Sequence, residues 1–337
     1  MSVAKWVLCI IFGVSLSVLA ISANYNSSVK NSGETNKYVI DFSQTSLDDI
    51  NDIGDKIEFT ELNDTEKRQL FDLFLSSFQK SYNSTETEVR FATFKRNLKL
   101  VDKRNKAETA NGGSAIHGIT KFSDLSEEEF KSQFLTAIAT EERSATPVDV
   151  LPYAGDEDVV SWIGIYTADV IDQGYCGSCW AFSVTQQMQA DGIRLGIYDF
   201  NISLSAQQIT SCDLTSFGCA GGWTERAYEY IKSTGGLALE KDYPYTSYYD
   251  VTGQCMSDPS TYYVTIDGYY LVKSEQAMID YVKSTGPLSI CVDATEWASY
   301  VKGVVSVCGS DVDHCVQIVA VDTSASNGYW QVCCCII

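Results

Sequence analysis

Apolar residues recur every three or four positions along much of the first half of the chain, a spacing that predicts amphipathic helices. "FDLFLSSF" places Phe71, Phe74 and Phe78 on one stripe. "ETEVRFATFKRNLKLVDKRNK" places Phe91, Phe94, Leu98 and Val101 on another, and "NGG" at 111–113 ends it. A shorter helix is predicted in "FSDLSEEEFKSQF", with Ser126 as a cap before Glu129. Residues 24–60 are polar, without a period, and read as a flexible leader. Residues 136–158 lose periodicity and read as a linker with a site for proteolysis. Beyond 159, Gly, Tyr and Cys become frequent. Short strand-like runs follow: "YYVTIDGYYLV", "GPLSICVDA", "GVVSV", "CVQIVAV" and "YWQV". Helical segments there fall near 179–191, 205–211, 223–234 and 274–284. Helices first and strands later read as an α+β fold.

Composition narrows the function. Of 337 residues, 45% are hydrophobic, enough for a sizeable core. The net charge of −20 argues against nucleic-acid binding, which needs Lys and Arg to neutralise phosphates. Residues 1–150 hold 22 acidic and 17 basic residues, and 151–337 hold 22 acidic and 7 basic. A more basic N-terminal half could therefore dock on the acidic C-terminal half. "MSVAK" followed by "WVLCIIFGVSLSVLAI" and small residues reads as a signal peptide over 1–23, removed on export, which leaves no stable membrane anchor. Asn26, Asn63, Asn83 and Asn201 each begin an N-x-[ST] sequon, as suits an exported glycoprotein. Eleven cysteines lie outside the signal, so most are expected in disulfides, with at least one left over.

The candidate chemistry sits in "DQGYCGSCWAFS", 172–183. Cys179 precedes an amphipathic stretch, so it stands at a helix N-terminus, where the dipole and open N–H groups favour a thiolate. A thiolate nucleophile needs a base. Of the two histidines, His117 lies in the N-terminal region and His314 at the start of a strand in "SDVDHCVQIVAV". A base in the C-terminal half must therefore be His314. Cys176 and Cys179 also form a CxxC, but there is no second one and almost no His, so no metal and no cofactor are expected.

C-G-S-C-W with a His 135 residues downstream is a papain and cathepsin signature. Along nearly its whole length the sequence resembles the papain-like cysteine peptidases of cathepsin L type. "LSAQQITSCD", "GCAGGW", "KDYPYT" and "DVDH" resemble the family's blocks in order. Glu86, Arg90, Phe94, Asn97, Val101 and Asn105 match the interspersed motif of its inhibitory propeptide, with Val for the usual Ile. Gly118, Thr120, Phe122 and Asp124 match its second motif, with Thr where Asn is common.

The resemblance implies a two-lobed fold, a helical left lobe and a β-barrel-like right lobe, preceded by a helical propeptide. It divides the chain into a leader over 24–66, a propeptide over 67–135, a linker with the activation cleavage over 136–150 and a peptidase domain over 151–337. It makes Cys179 the nucleophile, His314 the base and then acid, and Gln173 the oxyanion-hole side chain. Gly221 and Gly222 become the strip that pairs with substrate backbone, and Trp223, Cys291 and Cys315 fall where the family lines an apolar subsite. Cys176–Cys219 and Cys212–Cys255 become disulfides. The partners implied are peptide or protein substrates and the chain's own propeptide, in a lysosomal or extracellular setting. The chain departs from the family at its end. Cys333 to Ile337 stand where the family has Lys-Asn-Ser-Trp-Gly, Cys334 falling at the imidazole-orienting Asn. The expectation is a C-terminally incomplete domain with lowered turnover, in which Cys308 lacks the family's partner and Cys333, Cys334 and Cys335 are the candidates to replace it. A non-catalytic binding homologue and an inhibitor-like product are the alternatives, and retention of Cys179, His314 and Gln173 favours an enzyme.

Overall fold

The phenylalanine stripes form helices. A computed structural model of the chain describes residues 29–31, 38–40, 42, 44–54, 56–138, 145–167, 170–324 and 328–333. The signal segment, Asn26, Cys334 and Cys335 lie outside the described residues.

The described residues fall into two units. The first holds those up to Glu128 together with Glu296–Val307. Its helices are α1 (Leu47–Asp52), α2 (Asp64–Ser77) and α3 (Ser84–Ala110). The Phe71 ring lies 5.3 Å from Phe91 and 5.2 Å from Phe94, so the two stripes face each other across one core. The motif residues tie α3 to the segment after it. Asn97 donates to the carbonyls of Ser123 and Leu125. Asn105 donates to those of Gly54 and His117 and accepts from the His117 N–H. Arg90 holds Glu86 and reaches the Asp124 carbonyl. The Asp124 carboxylate takes Lys80 at 2.6 Å and the Tyr82 hydroxyl.

The leader expected over 24–66 is corrected from Thr45 onward. Ser46 and Asp49 form a capping box on α1, and Leu47, Ile50, Ile53, Ile57, Phe59 and Leu62 enter the same core as Phe71. A six-residue helix and a single 3-10 turn are too short to display a period. "GVVSV" is not a strand either. Tyr300–Lys302 pair with Ile116–His117 just before it. Gly303 then turns at φ +90, in a backbone region that favours glycine. The chain beyond runs to Glu108, whose carboxylate accepts from Ser306 and Val307.

His117 is buried in this unit, its Nδ1 3.0 Å from Ser299 Oγ and its Nε2 3.9 Å from Glu108. Burial, then the Arg104 charge, pushes its pKa down to about 4. An unfolded histidine titrates near 6.5, so the stability from keeping it neutral is complete above that pH and lost as pH falls through 4, ~3 kcal/mol in all. Urea unfolding of the full chain at pH 7 and pH 4 should show this loss, and His117→Gln should remove the corresponding part of the pH dependence.

The second unit holds the described residues of Glu129–Thr295 and Cys308–Ile337. It takes most of α4 (Glu127–Phe134), then α5 (Cys179–Arg194), α6 (Ala206–Cys212), α7 (Thr224–Thr234) and α8 (Glu275–Ser284). Its main sheet has four strands, β1 (Val159–Ser161), β2 (Leu288–Val292), β3 (His314–Asp322) and β4 (Tyr329–Cys333). All three others pair antiparallel with β3, β2 over its first five residues. Residues 314–321 are buried without alternation, as in a strand covered on both faces. Polar side chains of α5 lock it to this sheet. Ser183 donates to the Val316 carbonyl at 2.7 Å, and Gln187 bonds the Ser289 N–H and the Pro287 carbonyl. Trp180, Phe182, Leu204, Ile209 and Ile231 fill the core on the helical side.

Candidate active site

Cys179 is the first residue of α5, and His314 is the first of β3. Neither is exposed. The two come together through the core: Cys179 and Cys315, the residue immediately after His314, pack in one buried cluster, where the backbone amides of Cys315, Trp180 and Cys179 favour a charged sulfur. The turn leading into α5 is fixed by glycine and disulfide. Gly174 has φ +65, and a Cβ there would meet the Tyr248 carbonyl oxygen at 2.3 Å. Cys176 is bonded to Cys219 and Cys212 to Cys255, each across 43 residues of sequence. In the chain-entropy account each closure is worth about 4 kcal/mol. Gln173 is fully buried and its amide donates to the Cys176 carbonyl at 2.9 Å. Tyr245 donates to the Gln173 carbonyl and accepts from Ser178.

The glycine strip is occupied by the chain itself. Ala137 pairs in parallel with Gly222, Ile138 N–H donates to the Gly222 carbonyl at 2.9 Å, and Ala137 N–H to the Asp313 carbonyl at 2.9 Å. Thr136 Oγ1 donates to the Gly177 carbonyl. A Cβ on Gly221 would meet the Thr136 carbonyl oxygen at 2.1 Å. The His314 ring donates to the Phe134 carbonyl. Residues 134–138 therefore bind Gly177, Gly222, Asp313 and His314. The sequence pattern offers nothing for this seat, because 136–138 carry no period.

Electrostatics here run against the thiolate expected from a helix N-terminus. Burial pushes the Cys179 thiol up to about 11, and the nearby Asp313 charge adds to the rise, outweighing the three N–H donors. Burial pushes His314 down to about 3. Asp313 itself is raised to about 6, again by burial. In this covered state the pair is a neutral thiol and a neutral imidazole.

Trp223 and Cys291 line a cavity of about 1000 Å³ with Met188, Tyr228, Val264 and Ile290. Cys315 lies behind it, fully buried. These two cysteines are not separate lining groups: Cys291 and Cys315 form a disulfide, between residues directly paired across β2 and β3. A pattern of spacings cannot reveal such a bond, since it depends on strand register. Cys333 carries a thiol, which removes it from the three candidate partners of Cys308. Asn63 and Asn83 are exposed helix caps and Asn201 is exposed on a turn.

Residues 158–333 match the sequence profile of the papain family cysteine proteases. The chain belongs to the papain family. Residues 71–130 match the cathepsin propeptide inhibitor domain, so this papain-family protease carries its own inhibitor-type propeptide. It is 34% identical to the probable cysteine protease RDL2 of Arabidopsis thaliana, over 80% of this chain and 76% of that one. It is also 34% identical to cysteine proteinase 2 of Leishmania pifanoi, over 78% of this chain and 61% of the relative. Among solved structures, the digestive procathepsin L 3 of Tenebrio molitor aligns with TM-score 0.65 and 25% identity, covering 80% of this chain and 96% of that one. A recombinant stem bromelain precursor aligns with TM-score 0.67 and 26% identity, covering 80% and 87%. The papain-like α+β fold with an N-terminal propeptide accounts for both units.

Proposed function

We propose that the chain is the zymogen of a cysteine endopeptidase in which Cys179 attacks the peptide carbonyl, His314 moves the proton and Gln173 holds the oxyanion. The observation that carries this reading is the shared locus of nucleophile and base: Cys179 starts α5, His314 starts β3, and Cys179 packs in one buried cluster with Cys315, the residue after His314. In the working form the proton leaves Cys179 for His314, giving a thiolate and an imidazolium that stabilise each other. The thiolate adds to the carbonyl carbon, and the negative oxygen takes N–H donors from Gln173 and the Cys179 backbone. His314 then protonates the leaving amine as the C–N bond breaks, leaving a thioester on Cys179. A water, deprotonated by His314, adds to the thioester, the C–S bond breaks, and the acid product leaves as Cys179 and His314 return to the thiolate–imidazolium pair.

Substrate backbone pairs with Gly221 and Gly222, the edge that Ala137 and Ile138 occupy in the precursor, and an apolar side chain enters beside Trp223. Cleavage within 136–150 releases that edge. The first 23 residues route the protein into the secretory pathway, to a lysosomal or extracellular destination, with Asn26, Asn63, Asn83 and Asn201 as glycan acceptors. A purely peptide-binding role would need the cleft but not the coincidence of Cys179, His314 and Gln173.

An epoxide-type peptide probe applied to the activated protein should label Cys179, located by peptide mass mapping, and Cys179→Ser should abolish labelling. Covalent attachment at any other cysteine, or to the Ser variant, overturns the assignment.

A further inference from the structure

The geometry points to Tyr245 as a positioning residue for the oxyanion hole, its hydroxyl setting where the Gln173 amide stands relative to Cys179. The inference rests on the role proposed above for Gln173. Tyr245 lies between α7 and α8, and its hydroxyl bridges the two ends of the turn that leads into α5. It donates to the Gln173 carbonyl at 2.9 Å and stands 2.7 Å from Ser178 Oγ. Gln173 and Ser178 are both fully buried, and Ser178 immediately precedes the nucleophile. One phenol therefore ties the backbone of the oxyanion-hole side chain to the start of the nucleophile's helix. The disulfide to Cys219 holds the middle of that turn, at Cys176, and the hydroxyl holds its two ends. The Gln173 amide reaches the Cys176 carbonyl, which uses one of its two hydrogens and leaves the other for an oxyanion.

The hydroxyl is itself firmly aimed. The Tyr245 ring meets Phe182 of α5 edge-on, with centroids 4.9 Å apart. Its backbone N–H donates to Glu240 Oε1 at 2.7 Å. The next two N–H groups, of Thr246 and Ser247, donate to Gln207 Oε1 on α6 at 2.6 and 3.0 Å. The phenol thus hangs from two helices whose apolar residues share one core. Placement matters here because an oxyanion-hole donor must meet an oxygen that carries full charge only as the reaction proceeds. A misplacement of about 1 Å costs on the order of 100-fold in rate. Without the hydroxyl, the Gln173 carbonyl and Ser178 lose their common partner, and the amide is held less closely to the oxyanion. The environments of the thiolate and of His314 stay as they were.

The test uses the full chain after activation, as wild type, Tyr245→Phe, Ser178→Ala, Gln173→Ala and the double variant Tyr245→Phe/Gln173→Ala. On an amide substrate Tyr245→Phe should lose about tenfold in kcat with KM held within about twofold, and Gln173→Ala should lose about 100-fold. Alkylation of Cys179 by iodoacetamide is a displacement at a saturated carbon, in which no oxygen gains charge. Its rate and pH profile should be unchanged in Tyr245→Phe, whereas a general loosening of the fold would slow both reactions. In the Gln173→Ala background the tyrosine substitution should cost less than about twofold, since the group it positions is gone. Ser178→Ala opens the same bridge from its other end and should lower kcat with alkylation unchanged, which carries the test if the phenylalanine variant does not fold. Full kcat in the folded variant, a parallel fall in alkylation, or an equal loss with and without Gln173 overturns the proposal and leaves the catalytic reading standing. Wild-type kcat in Gln173→Ala removes the oxyanion-hole role of that residue, and this proposal with it.

Discussion

Release of the segment that crosses Gly222 is expected to raise the reactivity of Cys179 toward a small alkylating reagent about 10⁴-fold at pH 7. The size follows from the ionisation of the thiol. With its pKa held at about 11, only about one sulfur in 10⁴ is a thiolate at neutral pH. Burial is the largest cause, and three N–H donors already face the sulfur. Opening the site to water removes the dominant opposing effect and keeps the donors. It also lets His314 rise from about 3, where burial holds it, so that the imidazolium can form beside the thiolate. Two pH profiles decide the matter. The precursor's alkylation rate should climb about tenfold per pH unit up to about pH 10, because each unit adds tenfold thiolate. The processed chain should react at a nearly constant rate from pH 5 upward. A processed chain that kept the precursor's slope would show that burial beneath the 134–138 segment is not what silences the thiol.

The sequence pattern and the folded chain agree where a single element carries the signal. Phe91, Phe94, Leu98 and Val101 needed only helical spacing, and α3 is 27 residues long, so the period had room to appear. Cys179 at a helix start and His314 at a strand start were legible for the same reason. The disagreements arise where the property belongs to two elements at once. Leu47 to Leu62 pack into the phenylalanine core through short turns whose apolar residues have no period of their own. The bond between Cys291 and Cys315 exists because β2 and β3 pair in one register, which neither strand encodes alone. The thiol's raised pKa reverses the expectation from the helix dipole, because residues distant in sequence withdraw the sulfur from water. A local feature supplied the donors, and tertiary burial decided the sign.

His314→Ala in the activated protein should lower kcat on an amide substrate by about 10⁴-fold and on an activated ester by only about 10²-fold. Both losses share one origin. Without an imidazolium beside it the sulfur reverts toward an ordinary thiol, and the thiolate fraction at pH 6 to 7 falls to a few per cent or less. The second loss is specific to amides. An amine leaves a tetrahedral intermediate only when protonated, and in this site His314 is the group set to supply that proton, since His117 is enclosed in the other unit and Asp313 holds its carboxyl toward Ala294 and Thr295. An activated ester expels a stable alkoxide and does not need the acid. The ratio of the two losses therefore measures proton donation apart from thiol activation, which a folding defect would not do, because misfolding lowers both rates equally. Raising the pH to 9 should recover most of the ester activity by ionising Cys179, and little of the amide activity. Equal losses on the two substrates would remove His314 from the acid role and leave it only the ionisation of the thiol.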